Sequence, residues 1–188
     1  MISNSLSRRT FLKLAGVITF LPSTAVWSKS SGIIVNDVHS QLNPTRVSQI
    51  IPASSLAELK NVVKTAIADQ SKISLCGGRH AAGAQQFGTD TTLIDMSSMN
   101  RVLNFDQKAG LLEVESGIHW PELLDYLSTS QKSQSSMWGV AQKQTGADTL
   151  TIGGTLSANA HGQGLRFKPF IGDVQSFVLI DAKVSFFL

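Results

Sequence analysis

A glycine-rich segment with few bulky side chains constrains the fold of this chain more than any other feature of its sequence. Residues 74–88 read SLCGGRHAAGAQQFG, so almost no bulky apolar side chain stands between Cys76 and Phe87. Glycine lacks a Cβ, which lets the backbone adopt positive φ and approach a ligand closely, and consecutive amides in such turns form concave anion sites. The segment therefore predicts a loop that holds an anionic group such as a diphosphate. Taken alone, it is also compatible with an ordinary glycine-rich turn.

The residues before this segment predict a strand, a helix and a second strand. Pro52 ends the first strand, and Ser55 with Glu58 three residues later forms a capping box that starts the helix. Helical spacing is kept by the apolar residues Leu56, Leu59, Val63, Ala66 and Ile67. A crossover helix joins parallel strands, so the second strand, Ile73 to Cys76, runs parallel to the first. The glycine-rich segment then lies at the carboxyl end of a parallel strand, where ligands enter open α/β sheets.

The second half of the chain has the pattern of antiparallel strands. After a short strand in TTLIDMS, the sequence RVLNFDQKAGLLEVESG gives two alternating runs joined by Asp106 to Gly110, which indicates a hairpin. HWPELLDYL predicts a short helix with Pro121 at its first position, and DVQSFVLIDA at residues 173–182 predicts a last strand. We therefore expect an α+β fold, with a small parallel βαβ lobe followed by a mainly antiparallel lobe and a ligand groove between them.

A second glycine-rich segment, TIGGTLSANAHGQGLRF, follows at residues 151–167. Neither segment is a P-loop, because no Gly-Lys-Ser/Thr follows at the required spacing, and Phe167 stands where a dinucleotide fingerprint needs glycine. The two segments in this order resemble the FAD-binding (PCMH-type) domain of the vanillyl-alcohol oxidase and p-cresol methylhydroxylase superfamily. Cytokinin dehydrogenases and the alditol and gulonolactone oxidases are the most similar members, and the resemblance extends from about Pro44 to Asp181.

The resemblance implies FAD as the cofactor and assigns residues to it. The first glycine loop, which matches the part of the family that wraps the flavin diphosphate, supplies Gly77, Gly78, Arg79, His80, Ala81, Ala82 and Gly83, with Gln85 next to it. The second glycine loop, which lines the other side of the cofactor, supplies Gly153, Gly154, Thr155, Ser157 and Ala158. Further assigned contacts are His161, Gly162 and Ile171. Arg79 faces either a diphosphate oxygen or solvent, and Ile171 contacts either the cofactor or the core. His161 either lies beside the flavin or is a buried histidine bonded to the backbone.

The resemblance implies a more specific role for His80. In many members of the family the histidine of this loop is bonded covalently to the 8-methyl carbon of the flavin, which needs a neutral imidazole nitrogen at the ring edge. The alternative is a loop histidine that only forms local hydrogen bonds. No metal site is expected, because the four histidines lie about forty residues apart and Cys76 is the only cysteine.

The start of the chain reads as an export leader. Ser7 to Lys13 matches the S-R-R-x-F-L-K pattern of a twin-arginine signal, and Pro22 interrupts an apolar run that is shorter than the ~20 residues of a membrane span. We therefore expect a periplasmic or other extracytoplasmic location and no stable membrane span. Arg8, Arg9 and Lys13 account for the excess charge, since removing these 3 from 16 basic residues leaves 13 against 13 acidic ones. Because the rest of the chain has no net charge, we expect no nucleic-acid partner.

The resemblance also implies a flavin-dependent oxidase or dehydrogenase of a small alcohol, sugar or amine, of which this chain is the cofactor-binding part. The alternatives are a non-catalytic flavin-binding fragment, alone or complemented by a C-terminal chain, and an interaction domain without a cofactor. Family members continue with a substrate domain, which is absent here, so the chain reads as truncated. The expected plan is a signal peptide at 1–28, a linker at 29–43, an FAD-binding domain at 44–182 with lobes at about 44–100 and 101–182, and an aberrant or truncated tail at 183–188.

Overall fold

The computed structural model describes residues 32–143, 147–164, 166 and 168–183, together with the backbone of Phe186–Phe187. The expected signal peptide lies outside the described residues. In chain order the elements are β1 (Ile33–Val35), β2 (Thr45–Val47), β3 (Gln49–Pro52), α1 (Leu56–Ala68), β4 (Ile73–Cys76), β5 (Thr92–Asp95), β6 (Val102–Asp106), β7 (Leu111–Val114), α2 (Trp120–Ser130), α3 (Ile152–Ser157), a 3-10 turn (Phe170–Asp173), β8 (Leu179–Ile180) and β9 (Phe186–Phe187).

A three-stranded parallel sheet carries the first glycine loop. Its strand order is β3-β5-β4, so β3 and β4 run parallel as expected, with β5 between them. Leu93 and Ile94 of β5 are fully buried, because this central strand is covered on both faces. The first glycine loop follows β4 directly, at the carboxyl edge of the sheet.

Helix α1 forms the expected crossover between β3 and β4, with a narrower buried face than its sequence suggests. Leu59 packs in the core against the central strand, whereas Leu56 and Ile67 are exposed. At its start the Ser55 side chain accepts a hydrogen bond from the amide of Glu58. The Glu58 carboxylate accepts from the amide and hydroxyl of Ser54, so the reciprocal half of the expected capping box is shifted by one residue.

The N-terminal end of the described chain is more ordered than the expected linker. β1, within residues 29–43, pairs antiparallel with β2. The single strand expected before Pro52 is divided into β2 and β3 at Ser48, whose amide and hydroxyl both donate to the carbonyl oxygen of Thr91. Val35 and Val47 pack with Cys76 in the core, so this hairpin covers part of the parallel sheet.

The second half contains the expected hairpin and helix. β6 and β7 pair antiparallel, and α2 begins at Trp120, one residue before Pro121. The last strand is much shorter than the expected 173–182, since within that range only Leu179–Ile180 pairs with another strand. Its antiparallel partner is Phe186–Phe187, within the expected tail. In the part of the chain that the structure describes, no helix is long and apolar enough to cross a membrane.

Candidate functional site

The two glycine-rich segments meet at the residues that precede α3. A Cβ on Gly77 would collide with the side chain of Thr151, and a Cβ on Gly78 would lie 2.6 Å from the carbonyl oxygen of Thr149. Gly153 makes a similar approach to Ser116, since its amide donates to the Ser116 carbonyl at 2.7 Å and an added Cβ would lie 2.8 Å from the Ser116 Cβ. These glycines are therefore required by close packing of protein against protein.

The backbone conformation corrects one expectation about the first glycine loop. Positive φ falls on Arg79, at 56°, and on Ala84, at 59°, whereas Gly77, Gly78 and Gly83 have negative or extended φ. The expectation that the glycines supply the positive φ angles of this loop is wrong. A non-glycine residue in this region is held by its surroundings, usually at a cost of about 1 kcal/mol or more.

Arg79 is held by the end of β5. Its Nη2 donates to the Oδ2 atom of Asp95 at 2.9 Å, and both side chains are partly buried. Burial disfavours the charged form of Asp95, but hydrogen bonds from Ser97 and the ion pair with Arg79 lower the pKa of its carboxyl below the ordinary value. The guanidinium therefore ties the loop to the sheet and is not a fully solvated side chain, and its contact with a diphosphate oxygen stays a prediction.

The main chain of the first glycine loop is suited to an anion. Within the described residues, the backbone N–H groups of residues 78–83 donate no hydrogen bond. Several carbonyl groups of the same loop are engaged by the protein, since Arg79 accepts from the amide of Val38 and Ala81 from that of Ala84. Ala81, Ala82 and Gly83 are exposed. A run of free amides in an accessible loop fits the oxygen atoms of a diphosphate.

Gln86 is a second feature that fits a bound cofactor, and sequence reasoning did not single it out. Its side-chain Nε2 and Oε1 atoms are buried and have no hydrogen-bond partner among the described residues. A buried polar group without a partner costs about 1–3 kcal/mol, which a ligand that offers both an acceptor and a donor offsets. Gln85, which was assigned to the cofactor, is exposed, and its side chain lies beside Gly83.

His80 lies between two hydrogen-bonding partners. Its Nδ1 is 2.7 Å from Nε2 of His39, and its Nε2 is 2.8 Å from the hydroxyl of Thr149. Burial, together with the nearby His39 and His119, lowers the pKa of His80, against an opposing contribution from Thr149. The lowered pKa favours the neutral ring, which is the form that the covalent alternative requires.

The histidines are closer together than their spacing in the sequence suggests. His39 contacts His80 directly, and His119 Nδ1 lies 2.6 Å from the carbonyl oxygen of Thr149. Among the described residues, however, no group of three or more His, Cys, Asp or Glu side chains is arranged to hold a metal ion. The convergence of His39 on His80 was missed because a contact across 41 residues leaves no periodic signal.

The second glycine loop is helical and partly structural. Gly153, Gly154, Thr155 and Ser157 lie in α3, and Ala158 follows it. Thr155 is 1% exposed, and its hydroxyl accepts from the Trp120 indole and donates to the Thr151 carbonyl. That hydroxyl is not free for a cofactor, because it already completes a buried network. Gly154, Ser157 and Ala158 are exposed.

The remaining assigned residues lie beyond α3. His161 contacts the backbone, since its Nδ1 lies 2.8 Å from the carbonyl oxygen of Gly162, but it is exposed and not the buried histidine considered as the alternative. Ile171 is 44% exposed in the 3-10 turn and is not a core residue. In the described ranges, no hydrogen bond joins His161, Gly162 or Ile171 to the first glycine loop.

Comparison with known proteins agrees with this architecture. Residues 47–183 match a family model described as "FAD binding domain", which is more than half of the chain. The chain belongs to this family. FAD is thus the cofactor of the domain, and the expectations of a PCMH-type FAD-binding fold and of FAD are confirmed.

Relatives of assigned activity are similar to this chain over the same region. L-gulono-1,4-lactone dehydrogenase of Mycobacterium tuberculosis is 29% identical over 135 residues, which is 72% of this chain and 30% of that protein. L-gulonolactone oxidase of Mus musculus is 28% identical over 130 residues, covering 69% of this chain and 28% of the oxidase. The chain therefore spans less than a third of the length of these two relatives.

Solved structures support the fold. Carbohydrate oxidase from Microdochium nivale superposes with a TM-score of 0.62 at 18% identity, over 76% of this chain and 30% of that one. An alkyldihydroxyacetonephosphate synthase superposes with a TM-score of 0.60 at 23% identity, over 72% of this chain and 24% of the synthase. At these identities the likeness is one of fold.

Proposed function

We propose that this chain is the cofactor-binding part of a flavin-dependent oxidase or dehydrogenase that acts on a small alcohol, sugar or amine. The observation that carries the proposal is the first glycine loop, where the free amides of residues 78–83 adjoin a neutral His80. Membership of the FAD-binding family supports it. The names of the relatives, a gulonolactone dehydrogenase and a gulonolactone oxidase, favour a sugar-derived substrate.

In this proposal, the residues of this chain bind and orient the FAD cofactor. Bound FAD supplies a ring that takes a hydride from a substrate carbon. The amides of residues 78–83 hold the diphosphate, and the buried amide of Gln86 provides one donor and one acceptor. We assign no catalytic residue to this chain, because hydride transfer also needs a base and a surface that holds the substrate over the ring.

We further propose that His80 is the site of covalent flavin attachment. A ring nitrogen of His80 would be joined to the 8-methyl carbon, with loss of one proton from the methyl group and one from the imidazole. Dioxygen or another electron acceptor would have to take up the two electrons of the broken C–H bond. Because both ring nitrogens of His80 have partners, at His39 and Thr149, attachment has to replace one of these hydrogen bonds.

A spectrum of the purified full chain tests these two proposals. We expect visible flavin absorbance in the native protein, retained in the pellet after acid precipitation. In His80→Ala the native protein keeps its flavin but releases it in acid, whereas the control Asn100→Ala, at an exposed residue outside the assigned site, behaves as the wild type. Release of flavin from the wild type in acid would refute the covalent bond alone. A folded chain without any flavin would refute the binding site as well.

Turnover separates an enzyme from a binding fragment. We expect reduction of an artificial electron acceptor when the flavin-loaded chain is supplied with an aldonolactone or alditol, provided that the substrate-binding part is present or added as a second chain. The alternative is a non-catalytic flavin-binding fragment. It predicts a stable flavin spectrum that no alcohol, sugar or amine bleaches under anaerobic conditions.

We also propose that residues 1–28 direct export through a twin-arginine route to the periplasm. The proposal is supported by the Arg8-Arg9 pair within the matching Ser7 to Lys13 segment. Cell fractionation of the wild type and of the double variant Arg8→Lys/Arg9→Lys tests it. We expect the protein in the periplasmic fraction only for the wild type, and equal distribution of both proteins would refute the proposal.

A further inference from the structure

A turn outside the family match is docked on the first glycine loop. We name residues 37–43 the docking turn; they precede residue 47, where the family model begins, and lie within the expected linker. The amide of Val38 donates to the carbonyl of Arg79 at 3.0 Å. The side-chain amide of Asn43 donates to the carbonyl of Ala82 at 3.1 Å, and the Ser40 hydroxyl, whose single proton is shared with the Asp37 carboxylate, lies 3.0 Å from the same carbonyl.

The docking turn has its own internal scaffold. The Asp37 side chain is 2% exposed and accepts hydrogen bonds from the amides of His39 and Ser40, at 2.8 and 2.6 Å, and from the Ser40 hydroxyl at 2.9 Å. The amide of Gln41 donates to the same carboxylate at 3.2 Å. A carboxylate that binds several amides of one turn fixes its conformation before the turn meets another segment.

These contacts determine which way the peptide groups of the loop face. The carbonyl and the N–H of neighbouring residues belong to one planar peptide unit, so fixing the carbonyls of Arg79 and Ala82 also fixes the N–H groups of His80 and Gly83. Both N–H groups belong to the run that donates no hydrogen bond within the described chain. His39 adds a side-chain contact by pairing with the ring of His80 at 2.7 Å.

We propose that the docking turn is a positioning element of the cofactor site, with Ser40 and Asn43 as positioning residues that hold the first glycine loop ready for the FAD diphosphate. This inference rests on the proposed function. A loop that is already fixed loses less conformational entropy when the ligand binds, so removing the two side-chain contacts weakens binding without removing any group that touches the ligand.

Titration of the full chain with FAD tests this role. The double variant Ser40→Ala/Asn43→Ala removes both side-chain contacts with the Ala82 carbonyl, and with them the contact of the Ser40 hydroxyl with Asp37, but leaves the amides that bind Asp37 in place. We expect a dissociation constant for FAD roughly 4- to 140-fold above that of the wild type, since each of the two hydrogen bonds contributes about a factor of 2 to 12. The matched control, Asn100→Ala/Ser135→Ala, changes two exposed residues of the same types and should bind FAD as the wild type does.

A structural readout separates positioning from loss of fold. The double variant should remain folded, with a cooperative urea transition, while the amide resonances of His80 and Gly83 shift or broaden in NMR spectra of the flavin-free chain. Wild-type affinity in the double variant would overturn the inference and leave the proposed function intact. So would an affinity loss that is accompanied by loss of the cooperative urea transition. A folded wild-type chain that binds no FAD would overturn both.

Discussion

Replacing Gly77 by alanine places a methyl group against Thr151, where the two glycine-rich segments meet. The new Cβ would overlap Oγ1 of Thr151 and lie 2.9 Å from its Cγ2. Thr151 cannot easily give way, because it is 2% exposed and its hydroxyl accepts from the amide of Gly154 at the start of α3. The adjacent residues are also fixed, since the carbonyl of Leu150 accepts from the amide of Trp120 and Ile152 donates to Ile118.

The expected cost follows from these contacts. Inserting a methyl group into a packed contact costs about 1–3 kcal/mol, and displacing the Thr151 hydroxyl from its capping bond costs about 1 kcal/mol more. Gly77→Ala should therefore lower the free energy of unfolding by roughly 2–4 kcal/mol. Thr151→Ala removes the hydroxyl that caps α3 but makes space for a methyl group at position 77. Gly77→Ala should therefore destabilise the Thr151→Ala variant less than it destabilises the wild type. A coupling of about 1–3 kcal/mol is expected between the two sites.

Urea unfolding followed by tryptophan fluorescence measures this coupling, because Trp120 is buried beside Thr155. Gly139→Ala is the matched control, since an added Cβ there meets no atom within 4 Å. Its free energy of unfolding should change by no more than about 0.5 kcal/mol. If Gly77→Ala is as mild as Gly139→Ala, the close approach is not what requires glycine at position 77.

Three further perturbations test the electrostatics of the molecule. Glu115 is buried, and its pKa is lowered chiefly by hydrogen bonds from Arg101. The ion pair of Glu115 with Arg101 therefore stabilises the fold at pH values above about 4.5, the pKa of Glu115 in the unfolded chain. This stabilisation is lost as the pH falls through the lower pKa of Glu115 in the folded chain. In urea unfolding, Glu115→Gln should be less stable than the wild type by about 1–3 kcal/mol at pH 6. This difference in stability should decrease towards pH 3, and a difference that does not change with pH would contradict the pairing. Burial raises the pKa of Cys76 to about 11, so a thiol reagent at pH 8 should label it only after urea is added, and rapid labelling of the native chain would show that the residue is accessible. His39→Ala should raise the pKa of His80, because the substitution reduces both the burial of the His80 ring and the electrostatic repulsion from His39, which lower this pKa. An NMR titration that finds an unchanged or lower pKa for His80 would refute the pairing.

Short-range signals were sufficient to predict most elements near the site. The crossover helix α1 follows from the Ser55 cap and apolar spacing, and the β6–β7 hairpin from the turn at Asp106 to Gly110, whose Asp106 side chain accepts from two following amides. The position of the first glycine loop after β4 follows from the parallel crossover rule. Each of these predictions depends on residues that are close together in the sequence.

Features that depend on distant residues were not predicted. The place of β5 between β3 and β4 depends on which strand can be covered on both faces, which no single segment encodes. The same holds for the contact of His39 with His80 and for the two donors to the Ala82 carbonyl, which join residues about forty positions apart. Thr155 was assigned to the cofactor, but its buried bond with Trp120 is a packing feature. The remaining site assignments stay predictions.

An NMR titration of the flavin-free, isotope-labelled full chain with FAD shows directly whether the first glycine loop binds the cofactor. We expect one bound FAD per chain, with the largest shifts at the amides of residues 78–83, and smaller shifts at the same amides with ADP, which offers the diphosphate without the flavin. Saturable shifts that spare these amides, or no shifts in a folded chain, would contradict the claim that the first glycine loop binds the cofactor.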